Sequence, residues 1–233
     1  MKRLLPFVII LAVLSVALGV GYYQTRPKAT TPPAGPTPQP TKASPSPVAT
    51  VPTSGNPGAQ PPHAHGPENA PVTLEEFGDY ECPPCALFHP VAKMMEKEFG
   101  SRLRFVFRQF PLIQTHKHAL AAARSAEAAG LQGKFWEMHD LLYANQATWH
   151  EATDVGPIFE GYATNIGLDL ARFRRDVASE VVARRIFLDQ KRANDLGVNG
   201  TPTVFMNGRE LEFESLAPEK LRTLINAELE KTK

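Results

Sequence analysis

Cys82 and Cys85 are the only cysteines in this 233-residue chain, and they stand three apart in "GDYECPPCALFHP" (residues 78–90). A structural disulfide stabilises mainly by closing a long loop, and joining these two would constrain almost nothing. A structural zinc site needs four ligands, commonly from a second cysteine pair, and the chain has none. A C-x-x-C where a strand gives way to a helix is instead a redox motif, two thiols that interconvert with a disulfide.

Helix position predicts which sulfur reacts. Cys82 stands at the expected helix N-terminus, where free backbone N–H groups and the helix dipole favour an anion. It is the expected nucleophile, and Cys85, one turn inside, is placed to resolve the mixed disulfide. Pro83 and Pro84 carry no N–H, so the first donors able to meet the Cys82 sulfur are those of Cys85 and Ala86. The thiolate should be less stabilised, and the disulfide less oxidising, than with a donor residue before the second cysteine. A Cys82 pKa of about 3.5, the low extreme for such motifs, would contradict this.

The elements that must hold this pair are visible as changes of period. "APVTLEEF" (70–77) alternates as a strand and ends at Gly78. Residues 83–99 read as a helix with prolines in its first turn, where they are tolerated, and Gly100 as its stop. "RLRFVFRQF" (102–110) is a second strand. Helical spacing then dominates through "KHALAAARSAEAA", "KFWEMHDLLYAN", "IFEGYATNIG", "LDLARFRRDVA" and "SEVVARRIFLDQKRANDLG". "TPTVFMNGRELEF" (201–213) returns to strand, with "NG" at 207–208 as a hairpin turn, and "APEKLRTLINAELEKTK" closes as a helix. The order is α/β with a helical insertion and no internal repeat. "FWEMHDLLY" reads as core of the insertion, with lining of a substrate groove as the alternative.

The N-terminal part has another character. No Asp or Glu precedes Glu68, and the remainder carries all 24 acids against 20 of the 25 basic residues, while the whole chain is near neutral at +1. Nothing in that balance points to a nucleic-acid partner. Lys2 and Arg3 precede an uncharged run from Leu4 to Gln24. Residues 1–23 are expected to be a membrane anchor, since roughly 20 apolar residues span a bilayer, or else a cleaved signal with Ala17 and Gly19 near the cut. Residues 24–67, rich in Pro, Thr, Ala and Ser, are expected to be a disordered, extended linker. His63 and His65 fall in its tail, and His116 and His118 in "THKH" are expected at the surface; none has the companions of a metal site. Asp79 and Glu81, flanking the motif, are expected to be solvated loop charges. Residues 68–233 are expected to form one folded domain.

"PVTLEEFGDYECPPCALFHP" and "GVNGTPTVFMNG" together resemble the thioredoxin superfamily, and within it the DsbA-like exported thiol–disulfide oxidoreductases. The resemblance covers roughly residues 67–230 and implies a thioredoxin-like fold with its helical insertion at about residues 112–197, between the second strand and the cis-proline strand. It implies that Glu76, six residues before Cys82, is the buried acid that moves a proton to and from Cys85. Pro90 matches a helix-kinking proline. Pro202 would be a cis-proline facing the cysteines, with the Thr201 backbone docking an extended substrate beside the disulfide. No prosthetic group and no metal is implied. The chain departs from the best-known oxidases at CPPC, where those carry a histidine before the second cysteine.

The expected function is therefore exchange of the Cys82–Cys85 disulfide with exported cysteine-containing proteins, as oxidant, by a periplasmic or outer-face protein anchored by residues 4–23, or secreted if the signal is cleaved. A membrane redox partner would re-oxidise the pair. The same cysteines could instead serve a disulfide reductase or isomerase. A further alternative is a non-enzymatic, anchored peptide-binding module.

Overall fold

The computed structural model describes residues 55–231. The expected anchor at 1–23 and most of the expected linker lie outside the described residues. Among these residues no helix is long and apolar enough to cross a membrane.

Five strands form one sheet: β1 (His63–His65), β2 (Val72–Gly78), β3 (Leu103–Gln109), β4 (Thr203–Met206) and β5 (Arg209–Glu210), in the order β1-β3-β2-β4-β5. β2 and β3 are parallel, joined by helix α1 (Pro83–Phe99) as the crossover that a parallel pair requires. β4 pairs antiparallel with the other side of β2, and β1 antiparallel with β3. β2 is thus central, and six of its seven residues are buried. Between β3 and β4 come α2 (Ala119–Gly130), α3 (Phe135–Ala144), α4 (Gln146–Trp149), α5 (Gly156–Asn165), α6 (Leu170–Val177) and α7 (Glu180–Asp195); α8 (Pro218–Glu230) closes the chain. This is the expected thioredoxin-like α/β fold with a helical insertion.

Local chemistry explains the boundaries. α1 begins with prolines at its first two positions and ends at Gly100, whose φ of 54° suits a residue without a Cβ. Asp169 and Ser179 accept bonds from the backbone N–H groups of Arg172 and Val182 and so cap α6 and α7. Met138, Leu142 and Tyr143 of α3 pack into the same core as Phe105 and Phe107 of β3 and Phe88 of α1.

The end of the expected linker is part of the fold, which corrects its boundary at residue 67. β1 adds an edge strand to β3, and residues 56–61 are held by arginines. Arg108 donates to the carbonyls of Pro57 and Ala59, Arg192 to that of Asn56, and Arg185 to those of Gln60 and Pro61. Main-chain carbonyls, not apolar side chains, anchor this segment, and so its composition does not forecast its order. His63 bonds Glu127 at 2.9 Å and stacks on Phe135 at 3.4 Å; His65 bonds Glu96 at 2.6 Å.

Arg108 also bridges the buried carboxylates of Glu75 (2.7 Å) and Asp189 (3.0 Å). Arg108→Met should leave both carboxylates short of a partner and cost about 3–5 kcal/mol. Urea unfolding at pH 7 reads this, and the loss should shrink toward pH 4 as Asp189, left without its ion-pair partner, takes up a proton.

Candidate functional site

Cys82 is the N-cap of α1 in extended conformation (φ −75°, ψ 119°), and the pair is present as two thiols. Its Sγ lies 3.3 Å from the Thr201 carbonyl oxygen, and the Thr201–Pro202 bond is cis. The structure therefore sets the Thr201 carbonyl against Cys82, with Pro202 next along the chain. Cys85 is fully buried one turn further in.

The two thiols are electrostatically unlike. The Cys82 thiol is lowered to about 6: the Cys85 side chain bonds the sulfur and outweighs the cost of burial, helped by the Thr201 side chain and the Cys85 N–H. The Thr201 hydroxyl is buried without a hydrogen-bond partner. The charge of Asp79 opposes ionisation. The Cys85 N–H is one of the two donors the prolines leave in reach; the other, on Ala86, is spent on the Cys82 carbonyl at 3.2 Å. A pKa of about 6 accords with a motif whose prolines withhold donors. Burial pushes the Cys85 thiol far up, and its contacts with Cys82 and the charge of Glu76 push the same way.

Glu75 and Glu76 show what one step along a strand decides. Glu75 meets Arg192 (2.7 and 2.8 Å) and Arg108, and these outweigh burial and hold its carboxyl below the usual range. Glu76 points to the other face, is fully buried, and its Oε1 has no partner. Burial first, then the charges of Cys82 and Glu96, push its pKa up to about 8. Gly78 keeps space for this group: a Cβ there would lie 2.4 Å from the Phe107 ring and 3.0 Å from Glu76 Oε1.

Asp79 and Glu81 are not solvated loop charges. Each is 1% exposed. Asp79 accepts from the N–H groups of Glu81 and Leu112 at 2.8 Å and pairs with His116 Nδ1 at 2.8 Å. Glu81 accepts from the His118 N–H at 2.5 Å and pairs with His150 Nδ1 at 3.1 Å. His116 and His118 are accordingly half-buried or buried rather than surface residues, because they satisfy the acids of the cysteine loop. Gln146, which sequence reasoning missed, donates its amide to the carbonyls of Tyr80 (2.7 Å) and Cys82 (3.0 Å).

Among the described residues one cluster has the composition of a metal site: His89, His139 and Asp140, with ligand atoms within 4.8 Å of one another. Lys93 already pairs with Asp140, and His139 Nδ1 is bonded by the Tyr80 hydroxyl at 3.0 Å. An apolar cavity of about 400 Å³ opens along α1 between Pro84, Leu87 and Val91 on that helix and Phe213, Leu216 and Pro218, with Leu87 and Phe213 exposed on its rim.

A parallel β–α–β unit, a C-x-x-C at the helix start, a cis-proline that follows the carbonyl facing Cys82, and a helical insertion together define a DsbA-type thioredoxin fold. The family described as Thioredoxin matches residues 59–227, and the chain belongs to it. The match begins ahead of residue 68, where the N-terminal segment is already built into the fold. Among solved structures, Pseudomonas aeruginosa DsbA2 is 26% identical with a TM-score of 0.56, covering 70% of this chain and 91% of that one. Oxidised BdbD from Bacillus subtilis superposes with a TM-score of 0.65 at 22% identity, covering 72% and 93%, a likeness of fold. Among curated proteins, a Na(+)/H(+) antiporter NhaA 1 of Salinispora arenicola is 46% identical over 147 residues, 63% of this chain and 22% of that protein. The chain thus spans about a fifth of the length of the curated relatives it matches.

Proposed function

We propose that the chain is an extracytoplasmic thiol–disulfide oxidoreductase that donates its Cys82–Cys85 disulfide to exported proteins. The observation that carries this is the asymmetry of the pair: Cys82 lowered to about 6 at the helix start beside the Thr201 carbonyl, and Cys85 buried and raised. A substrate thiolate attacks Cys82 Sγ, the Cys82–Cys85 bond breaks, and Cys85 leaves as a thiolate that takes the proton held by Glu76. A second substrate thiolate then attacks the substrate sulfur of the mixed disulfide. The substrate disulfide forms and Cys82 leaves as the stabilised thiolate.

The Thr201 backbone beside the cis-proline docks an extended stretch of substrate, and the apolar cavity at Leu87 and Phe213 takes apolar side chains of an incompletely folded chain. A membrane redox partner re-oxidises the dithiol. Residues 1–23 as anchor or signal and residues 24 to about 55 as spacer complete the reading. The presence of this domain within proteins named as antiporters supports a place at a membrane.

A stabilised thiolate makes the dithiol the favoured form and the disulfide an oxidant. The Cys82 value lies between the about 7 of thioredoxin and the about 3.5 of DsbA. Equilibration against glutathione should therefore place the potential between about −270 and about −120 mV, the values of those two proteins. A potential at the thioredoxin end would overturn the oxidant direction and leave a reductase or isomerase, the direction the donor-poor CPPC favours.

A further inference from the structure

We infer that Gln146 is a positioning residue through which the helical insertion sets the reactivity of Cys82. The inference rests on the thiol–disulfide exchange proposed above and names a control on that same site.

One side-chain amide nitrogen donates to two carbonyls of the cysteine loop, those of Tyr80 at 2.7 Å and Cys82 at 3.0 Å. The Cys82 carbonyl also accepts the first bond of α1, from the Ala86 N–H. It belongs to the residue that bears the reactive sulfur, so its partial negative charge lies a few bonds from the thiolate. A donor on that oxygen draws its charge away from the sulfur and fixes the extended backbone that aims Sγ at Thr201. Ala86 supplies this oxygen's donor from α1, and Gln146 supplies the one from the insertion.

Gln146 is itself held firmly. It opens α4, which ends in the fully buried Trp149, whose indole N–H donates to the Leu142 carbonyl at 2.8 Å. The chain just before the cysteines is pinned to the insertion as well, by His116 on Asp79 and His150 on Glu81. Gln146 differs from these in contacting the Cys82 residue directly.

The sign of the effect follows from the donor. Gln146→Met keeps the length and loses the N–H. The thiolate of the reduced protein should then be less stable and the glutathione equilibrium should shift about fivefold toward the protein disulfide, as expected for one lost hydrogen bond. Gln146→Glu sets a carboxylate against two carbonyls and should shift it further the same way. Gln146→Lys restores a donor with a positive charge and should move the equilibrium back, to or past wild type.

The experiment measures thiolate absorbance against pH, together with glutathione equilibrium, on the full chain carrying each variant. A graded order of Glu, Met, wild type and Lys supports the inference. Equal shifts in all three variants, or none, overturn it, because a merely structural residue has no reason to separate donors from acceptors. If Gln146→Met fails to fold, the opposed signs of the Glu and Lys variants carry the test. A wild-type chain that does not exchange with glutathione at all would overturn the proposed function itself, whereas an active wild type matched by all three variants overturns only this inference.

Discussion

Cys82→Ser is expected to abolish disulfide exchange, with a loss of at least about 10³-fold, whereas Cys85→Ser is expected to attack normally and then stall as a mixed disulfide. The difference follows from the two environments. At pH 7 a thiol lowered to about 6 is roughly nine-tenths thiolate. Cys85 cannot replace it, because burial keeps it protonated and out of reach of a protein substrate. Alkylation of the reduced wild type should therefore label one cysteine, with a rate that falls about tenfold per pH unit below about 6. Cys85→Ser, whose hydroxyl can still donate to the sulfur, should accumulate covalent adducts with a model disulfide substrate, visible by mass. Full exchange activity in Cys82→Ser would instead point to the non-enzymatic, peptide-binding alternative.

The sequence carried the frame of this site because its punctuation is local. Two prolines inside the helix start, a glycine at the close of β2 and another after α1, and a clean change of period fix the strand–helix–strand order without reference to the rest of the chain. Glu76 was singled out by the family resemblance, from its place six residues before Cys82. What its neighbour does was not legible, since the fate of Glu75 depends on arginines 33 and 117 residues away. The same holds for Asp79 and Glu81. Their local sequence is that of a polar loop, and the histidines that pair with them lie 37 and 69 residues on, in elements whose approach no periodicity encodes. Gln146 gave no signal for the same reason, being one amide in a short helix 64 residues beyond Cys82. The N-terminal segment failed differently. Its side chains do read as a linker, but arginine donors hold its carbonyls, and every residue type has a carbonyl.

Glu76→Gln is expected to change two pH dependences at once. The folded chain holds the Glu76 proton up to about 8, while the unfolded chain releases it near 4.5. The folded state thus binds more protons between these values. The contribution of Glu76 to stability is fully present below 4.5 and is lost as pH rises through 8, a swing on the order of 5 kcal/mol. Cys82 works in the opposite sense: its depressed pKa adds stability that is present above about 9 and lost as pH falls through about 6. That contribution is common to wild type and variant, so the difference between their unfolding free energies isolates the carboxyl. The reduced Glu76→Gln chain should gain on the wild type steadily from pH 5 to pH 8 and then run parallel. The gain should be smaller in the disulfide form, which lacks the Cys82 charge that helps raise Glu76. The second dependence is kinetic. Attack of Cys85 on a Cys82–glutathione mixed disulfide needs a base for the Cys85 proton, and a carboxyl with a pKa of about 8 supplies one increasingly through the neutral range. In wild type the release of glutathione should rise to a plateau below pH 8, because the mixed disulfide also lacks the Cys82 charge that helps raise Glu76. In Glu76→Gln it should be about 10²-fold slower at pH 7 and climb without a plateau, as hydroxide alone removes the proton. If the stability difference appears while the two release profiles coincide, Glu76 is a buried acid without a part in proton transfer, and the assignment of that role falls.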